Sequence, residues 1–210
     1  MSVINQIANT NDNGISSQTA SGYAATRDAS SGNLGDPSST DHYTTNLNNS
    51  GSTFTVSRYF FYFDISALPP SAIISEVTLS LKTGGDYTNT NGSSAVLVAA
   101  TPADKNSIVG GDFDQVGSTS LGSQAYPGAG NTAFTITLNA AGLVALEAAR
   151  ASGFFIVALR ASGDFNNVSP SGVELQVNIN SANAASAGDR PTLNITYTKP
   201  GGGAALLMLV

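Results

Sequence analysis

The most informative pattern of the sequence lies between Arg58 and Thr83 and reads RYFFYFDISALPPSAIISEVTLSLKT. Its first seven residues hold five aromatics, and because side chains alternate along a strand, both faces of this strand are apolar. Such a strand must be covered on both faces, which predicts a central position in a sheet. The segment 68–71 (LPPS) then interrupts pairing, since proline has no N–H and a fixed φ. From Ile74 apolar and polar residues alternate again, which predicts a second strand with one dry face.

The rest of the chain shows the same kind of short strand patterns, separated by loops. Apolar or alternating runs predict strands at 15–25, 95–100, 133–138, 154–161, 173–179 and 192–198. One helix is predicted after Asn139, which would be its N-cap. Segments rich in Gly, Asn, Asp and Ser predict loops at 28–51, 84–94 and 104–130. About eight strands with long connections indicate an all-β fold, a two-sheet jelly-roll-like β-sandwich with one short helix.

Composition argues against several classes of function. Only 10% of the 210 residues are charged and the net charge is −6, whereas nucleic-acid binding needs clusters of Lys and Arg. The chain has no cysteine and a single histidine, His42, so metal and nucleophile sites built on these residues are not expected. No two of the three glutamates are marked as a glycosidase pair. We therefore predict a protein that is not an enzyme and does not bind nucleic acid.

Calcium is the one metal that the sequence leaves open. Asp112 and Asp114 form a D-x-D pattern whose oxygens would suit a structural calcium ion. Asp28, with Asp36 and Asp41, forms a second candidate set. Loop aspartates are more often turn formers, so the default expectation is that the protein holds no cofactor.

Glycan binding is the second open possibility, because sugars stack on exposed aromatic rings. The chain has no tryptophan. Tyrosines in predicted loops or at loop edges are the candidate contacts: Tyr43, Tyr87 and Tyr126. The alternative is that these rings pack over the ends of the sandwich.

Two segments flank the predicted sandwich of residues 15–199: a polar N-terminal arm, 1–14, and a C-terminal segment, 200–210. The C-terminal segment has a Gly-rich hinge followed by the apolar sequence AALLMLV. It is shorter than the ~20 residues that cross a bilayer, so no membrane partner is expected. We expect it to dock on another subunit as an added strand or an apolar plug; packing on its own domain is the alternative. The docking residues would be Leu206, Leu207, Met208, Leu209 and Val210.

The first residues, MSVINQIANTND, show neither the basic segment nor the apolar run of a secretory signal. This predicts synthesis in a host cytoplasm without Sec export. A neutral, hydroxyl-rich surface without an export signal fits a protein of a virion released by lysis. An extracellular or cell-surface location is the alternative.

The aromatic strand with FDIS, the following Leu-Pro and the TLSL strand, all within 58–81, resemble the DNRLRE-type β-sandwich modules. Residues 189–197 (DRPTLNITY) are similar to the closing strand of these modules, in the order expected for one domain. The resemblance implies a β-sandwich fold. It also implies roles of the kinds this family has in bacterial surface proteins, polysaccharide-acting enzymes and phage structural proteins.

These observations together predict a non-enzymatic structural protein. Its partners would be copies of itself or other virion proteins, and its place would be that of a bacteriophage capsid decoration protein or tail appendage. The alternative function is that of a carbohydrate-binding module or adhesin domain, with a glycan as the partner.

Overall fold

A computed structural model describes residues 1–10, 12–34, 42–104 and 107–199. Within this part of the chain the fold is all-β, which confirms the predicted class, and its sandwich-like sheets carry three short helices. The strands are β1 (Ser2–Ile7), β2 (Asn13–Thr19), β3 (Asn33–Leu34), β4 (His42–Ser50), β5 (Thr53–Asp64), β6 (Ile73–Asn89), β7 (Ser94–Ala100), β8 (Val116–Ala125), β9 (Ala133–Thr137), β10 (Phe154–Ala161), β11 (Val173–Asn180) and β12 (Thr192–Thr198). The helices are α1 (Tyr23–Arg27), α2 (Ala140–Ala149) and α3 (Ser162–Phe165).

Two antiparallel sheets share the long strand β6. Sheet A has the strand order β1–β12–β6–β9. Sheet B has the order β6–β11–β4–β5–β10–β7–β8, and β2 joins it through β5. Residues 73–82 of β6 pair within sheet A, whereas residues 83–89 pair with β11 in sheet B. One continuous strand therefore connects the two sheets.

The aromatic strand β5 lies at the centre of sheet B, as its sequence predicts. Residues 59–63 are each at most 1% exposed. The ring centroids of Tyr59 and Phe61 lie 4.3 Å apart, and those of Phe61 and Phe63 lie 6.2 Å apart. The strand β5 pairs with β2, β4 and β10, which satisfies backbone groups along its whole length.

The helix α2 begins where the sequence predicts and packs on β8 and β10. The Asn139 side chain accepts the Gly142 N–H at 3.0 Å and so caps the first turn. A Cβ at Gly142 would lie 2.5 Å from the Leu121 carbonyl oxygen, so glycine is what allows this close approach. With ten residues, α2 is the longest described helix, and none of the described helices is long and apolar enough to cross a membrane.

Three predicted loops contain strands. The polar segment 42–50 is β4, residues 84–89 continue β6, and residues 116–125 form β8. Their sequences lack the apolar alternation of a strand, but each pairs with a well-formed neighbour whose unpaired backbone groups it satisfies. Sheet partners, rather than local propensity, decide these strands, and they raise the strand count above the predicted eight.

The N-terminal segment also differs from the prediction. Residues 2–7 are not an arm but the strand β1, in register with β12 from the Ser2–Tyr197 pair to the Ile7–Thr192 pair. The predicted strand at 15–25 is shorter, because β2 ends at Thr19 and α1 follows. The sandwich therefore begins with the first residues of the chain.

Candidate functional site

The two residues of the D-x-D pattern have different surroundings. Asp112 is buried, and its carboxylate oxygens accept the backbone N–H groups of Ala103 and Val109, each at 2.9 Å. Asp114 is exposed and accepts a hydrogen bond from the Gln115 amide at 2.7 Å. Asp112 thus fastens the loop between β7 and β8. No group of three or more His, Cys, Asp or Glu residues lies together in the described ranges, and calcium binding stays a prediction.

The candidate glycan contacts do not form a shared platform. Tyr126 is buried, and its ring packs 5.8 Å from the ring of Phe134, so it presents no open face to a sugar. Tyr87, on β6, is half-buried against the edge of the core. The backbone of Tyr43 belongs to β4, but its side chain lies outside the described part of the structure. The docking residues 206–210, together with Asp36 and Asp41 of the second calcium set, also lie outside it.

A buried charge cluster, which the sequence analysis missed, lies where β5 and β10 meet. Arg58 of β5 and Arg160 of β10 fall opposite each other, one position beyond the Tyr59–Leu159 pair. Two like charges directly opposite each other in an antiparallel ladder repel. The side chain of Asp164, from α3, lies between them and is fully buried. We call Arg58, Asp164 and Arg160 the arginine–aspartate triad.

Both arginines of the triad bind the carboxylate in the bidentate manner. Arg58 donates from Nε to Oδ2 and from Nη2 to Oδ1, each at 3.0 Å. Arg160 donates from Nε to Oδ2 at 2.7 Å and from Nη2 to Oδ1 at 2.9 Å. Burial alone would raise the pKa of Asp164, but the hydrogen bonds from Arg160 and Arg58 outweigh it and hold that pKa below its usual value. The carboxylate therefore stays ionised and balances one of the two buried cations.

The remaining donors of the triad tie the surrounding loops to it. Arg58 donates to the carbonyl oxygens of Phe113 at 2.7 Å and Arg27 at 2.8 Å, and its guanidinium lies 4.2 Å from the Phe113 ring centroid. Arg160 donates to the Gly117 carbonyl at 3.3 Å. Arg27, at the end of α1, donates from Nε to the Asp164 carbonyl at 3.1 Å. One cluster thus joins β5, β10, α1, α3 and the start of β8. The sequence signal was an arginine on each of two otherwise apolar strands.

The two arginines of the triad, Arg58 and Arg160, line a polar surface depression with a cavity volume of about 270 Å³. The charged and hydroxyl groups that line it include one residue from each set of calcium candidates and the two arginines of the triad. They are Arg27, Asp28, Arg58, Asp114, Ser118 and Arg160. Since three arginines share the depression with two aspartates, its charge pattern suits hydrogen bonding to a polar, uncharged group better than it suits a divalent cation.

Asp12 is a second buried carboxylate, at the point where the chain passes from sheet A to sheet B. Its Oδ2 accepts hydrogen bonds from the Tyr59 hydroxyl and from the Ala182 N–H, the latter at 2.9 Å. Its Oδ1 has no hydrogen-bond partner within the described residues. Burial raises the pKa of Asp12 from 3.8 to about 6, against the lowering effect of the Tyr59 hydrogen bond.

The strand β1 lies at one edge of sheet A and carries exposed apolar side chains. Among the described strands, none pairs with the side of β1 that faces away from β12. Two apolar side chains of β1 are exposed: Val3 is 59% exposed and Ile7 is 45% exposed. We call this free side of β1, with the residues Val3, Asn5 and Ile7, the β1 edge.

The chain was compared with protein-family models and with curated proteins. No protein-family model matches the chain, and no curated protein matches it. The likeness to DNRLRE-type modules therefore rests on the sequence patterns in 58–81 and 189–197.

Proposed function

We propose that this chain is a non-enzymatic structural protein that assembles with copies of itself or with other proteins of a virus particle, as a capsid decoration protein or a tail appendage. The observation that supports this most is the β1 edge. A free sheet edge with exposed valine and isoleucine side chains offers both unpaired backbone groups and apolar area to a partner. Natural edge strands that must stay unpaired usually carry lysine, proline or a bulge, and β1 has no lysine or proline.

The outer face of sheet A also suits a protein partner. Its central side chains are uncharged and hydroxyl- or amide-bearing: Thr78, Ser80, Thr135, Thr137, Thr192 and Asn194. The Asn194 amide donates to the Ser80 hydroxyl at 3.1 Å, which holds part of this face in place. Covering uncharged groups costs less desolvation free energy than covering charges, and protein interfaces are poor in charged residues at their centres.

Deletion of residues 204–210 tests the proposal. We expect the shortened chain to keep its far-UV circular dichroism spectrum and unfolding midpoint, because the described sheets lie within residues 1–199. We also expect it to be missing from purified particles in which the full chain is a stoichiometric component. Equal incorporation of both chains would contradict docking through this segment, and absence of the full chain from particles would contradict the proposed function as a whole.

Glycan binding is the second candidate, and it is favoured by the polar depression that Arg58 and Arg160 line. Arginine donors and aspartate acceptors side by side can each bind the hydroxyl groups of a sugar. Arg27→Ala should abolish binding on a glycan array, whereas Lys82→Ala, in an ion pair with Asp189 away from the depression, should leave it unchanged. An array without signal for the folded wild-type protein would reject this candidate.

A further inference from the structure

We propose that the β1 edge is an acceptor for strand addition, and that its occupant is the apolar segment 204–210 of a neighbouring copy of this chain. The inference rests on the proposed function, because it names the partner and the contact through which assembly occurs.

The backbone of β1 has hydrogen-bonding groups that point away from its partner β12. The Ala8 N–H donates to the Pro191 carbonyl, beside β12, at 2.9 Å. The Asn9 N–H donates in the other direction, to the Tyr62 carbonyl, at 2.8 Å. Because backbone groups alternate sides along a strand, the odd-numbered residues of β1 direct their N–H and C=O groups away from β12. Val3, Asn5 and Ile7 thus offer three donors and three acceptors to an incoming strand.

The strand β1 has apolar side chains on both faces of the sheet edge. Val3 and Ile7 are exposed on the outer face of the sheet, while Ile4 is half-buried and packs against the core from the inner face. An added strand would therefore meet apolar side chains on both of its faces. The segment 204–210, AALLMLV, is apolar at every position and meets that requirement in any register. A typical amphipathic strand meets it on one face only.

The position at which the chain leaves β12 favours a segment from a neighbouring copy over the segment of the same chain. Thr198, the last residue of β12, pairs with Ile73, and Tyr197 lies opposite Ser2. The chain thus leaves the sheet beside the beginning of β1. To pair with its own β1, the segment would have to turn around Ser2 and run parallel to β1. A segment from a neighbour is free to run antiparallel, which is the slightly more stable pairing.

Disulfide trapping tests the contact, because the chain has no cysteine of its own. Full-length Asn5→Cys is mixed with full-length Leu206→Cys or Leu207→Cys under mild oxidation, before and after assembly. We expect a covalent heterodimer with at least one of the two tail variants, and only under conditions in which the chain associates. Gln124→Cys, exposed on β8 at the far edge of sheet B, is the matched control and should give no such product. Equal trapping at both positions, or none at Asn5, would overturn the inference.

The competing occupant, the same segment of the same chain, has its own outcome. The double variant Asn5→Cys/Leu207→Cys is oxidised at high dilution, and an internal disulfide without dimers would show that the chain covers its own β1 edge. That result would also overturn the inference.

A backbone variant separates edge pairing from side-chain contact. Asn5→Pro removes an N–H that faces the free edge and leaves the hydrogen bonds to β12 in place. We expect it to weaken self-association by about tenfold or more in sedimentation experiments, whereas Asn5→Ala, which keeps the N–H, should associate like the wild type. Equal association of the two variants would contradict strand addition. If Asn5→Pro does not fold, the trapping result decides.

A chain that joins particles but shows no trapping would reject this contact and leave the proposed function standing, whereas a chain absent from particles would reject the proposed function.

Discussion

Asp164 and Asp12 are both buried carboxylates, but the first lies between two arginines and the second meets only a hydroxyl and a backbone N–H on its Oδ2. The pKa of Asp164 is lowered and that of Asp12 is raised to about 6. Because burial acts in the same direction on both, the partners decide the outcome. Burial alone therefore does not determine what a carboxylate contributes to stability.

The two residues therefore give stability opposite dependences on pH. The low pKa of Asp164 in the folded state contributes stability above the pKa of the unfolded chain, and this contribution is lost as the pH falls through the folded-state pKa. The raised pKa of Asp12 contributes stability below pH 3.8, and this contribution is lost as the pH rises through about 6. Four substitutions test this comparison.

The largest effect is expected for Asp164→Asn. Without the carboxylate, Arg58 and Arg160 remain as uncompensated buried charges opposite each other, so the free energy of unfolding should fall by about 3–5 kcal/mol. Urea unfolding at pH 7 measures the change. Asp114→Asn, at an exposed site, is the control and should stay within about 0.5 kcal/mol of the wild type. A loss below about 1 kcal/mol for Asp164→Asn would mean that the two buried arginines do not depend on Asp164 to balance their charge.

The next effect is expected for Asp12→Asn, which keeps the shape of the side chain and removes its titration. Relative to the wild type, the variant should gain about 3 kcal/mol in the free energy of unfolding between pH 3.5 and pH 7.5, since each pKa unit is worth about 1.4 kcal/mol. Unfolding curves of both proteins across this pH range provide the measurement. Parallel curves would show that Asp12 has an ordinary pKa.

Tyr59→Phe should have a smaller effect. The hydroxyl donates to Asp12 and lowers its pKa, so its removal should raise the pKa of Asp12 further and reduce stability by about 1–2 kcal/mol. Carboxyl-carbon NMR titration reports the pKa directly. Tyr62→Phe, on the opposite face of the same strand, is the matched control. An unchanged or lower pKa in Tyr59→Phe would contradict the assigned hydrogen bond.

The smallest effect is expected for Arg27→Gln. This side chain is 22% exposed and touches the cluster mainly through the Asp164 carbonyl, so its loss should cost no more than about 1 kcal/mol at pH 7. Thermal unfolding in low and high salt measures it. If Arg27→Gln lowered the free energy of unfolding as much as Asp164→Asn, the contact of Arg27 with the cluster would be as important as the carboxylate itself.

The central strand and the helix α2 were predictable because local patterns decide them. Residues 59–63 are apolar on both faces, and Asn139 is a suitable N-cap wherever the helix packs. β4 and the second half of β6 were not predictable, since their polar sequences form strands through distant partners: β11 pairs with both, and β5 pairs with β4. β1 was mistaken for an arm for the same reason, because its partner β12 lies at the other end of the sequence.

The candidate sites divide in the same way. The sequence shows Arg58 at the head of an apolar strand and an apolar 204–210 segment. It does not show that Asp164, 106 residues further on, neutralises Arg58, or that Asp28 and Asp114 share one depression. Likewise, nothing in the local sequence of Asp112 indicates that backbone N–H groups would occupy its carboxylate.

The class of the fold, its aromatic central strand and the capped helix could be predicted from the residues alone, because side-chain periodicity and local hydrogen bonding need no distant partner. The folded structure was needed to show which polar segments form strands, whether the pKa of each buried carboxylate is raised or lowered, and which edge is left unpaired among the described strands. Those properties depend on groups brought together from far apart in the chain, whose pairing and desolvation exist only in the folded state.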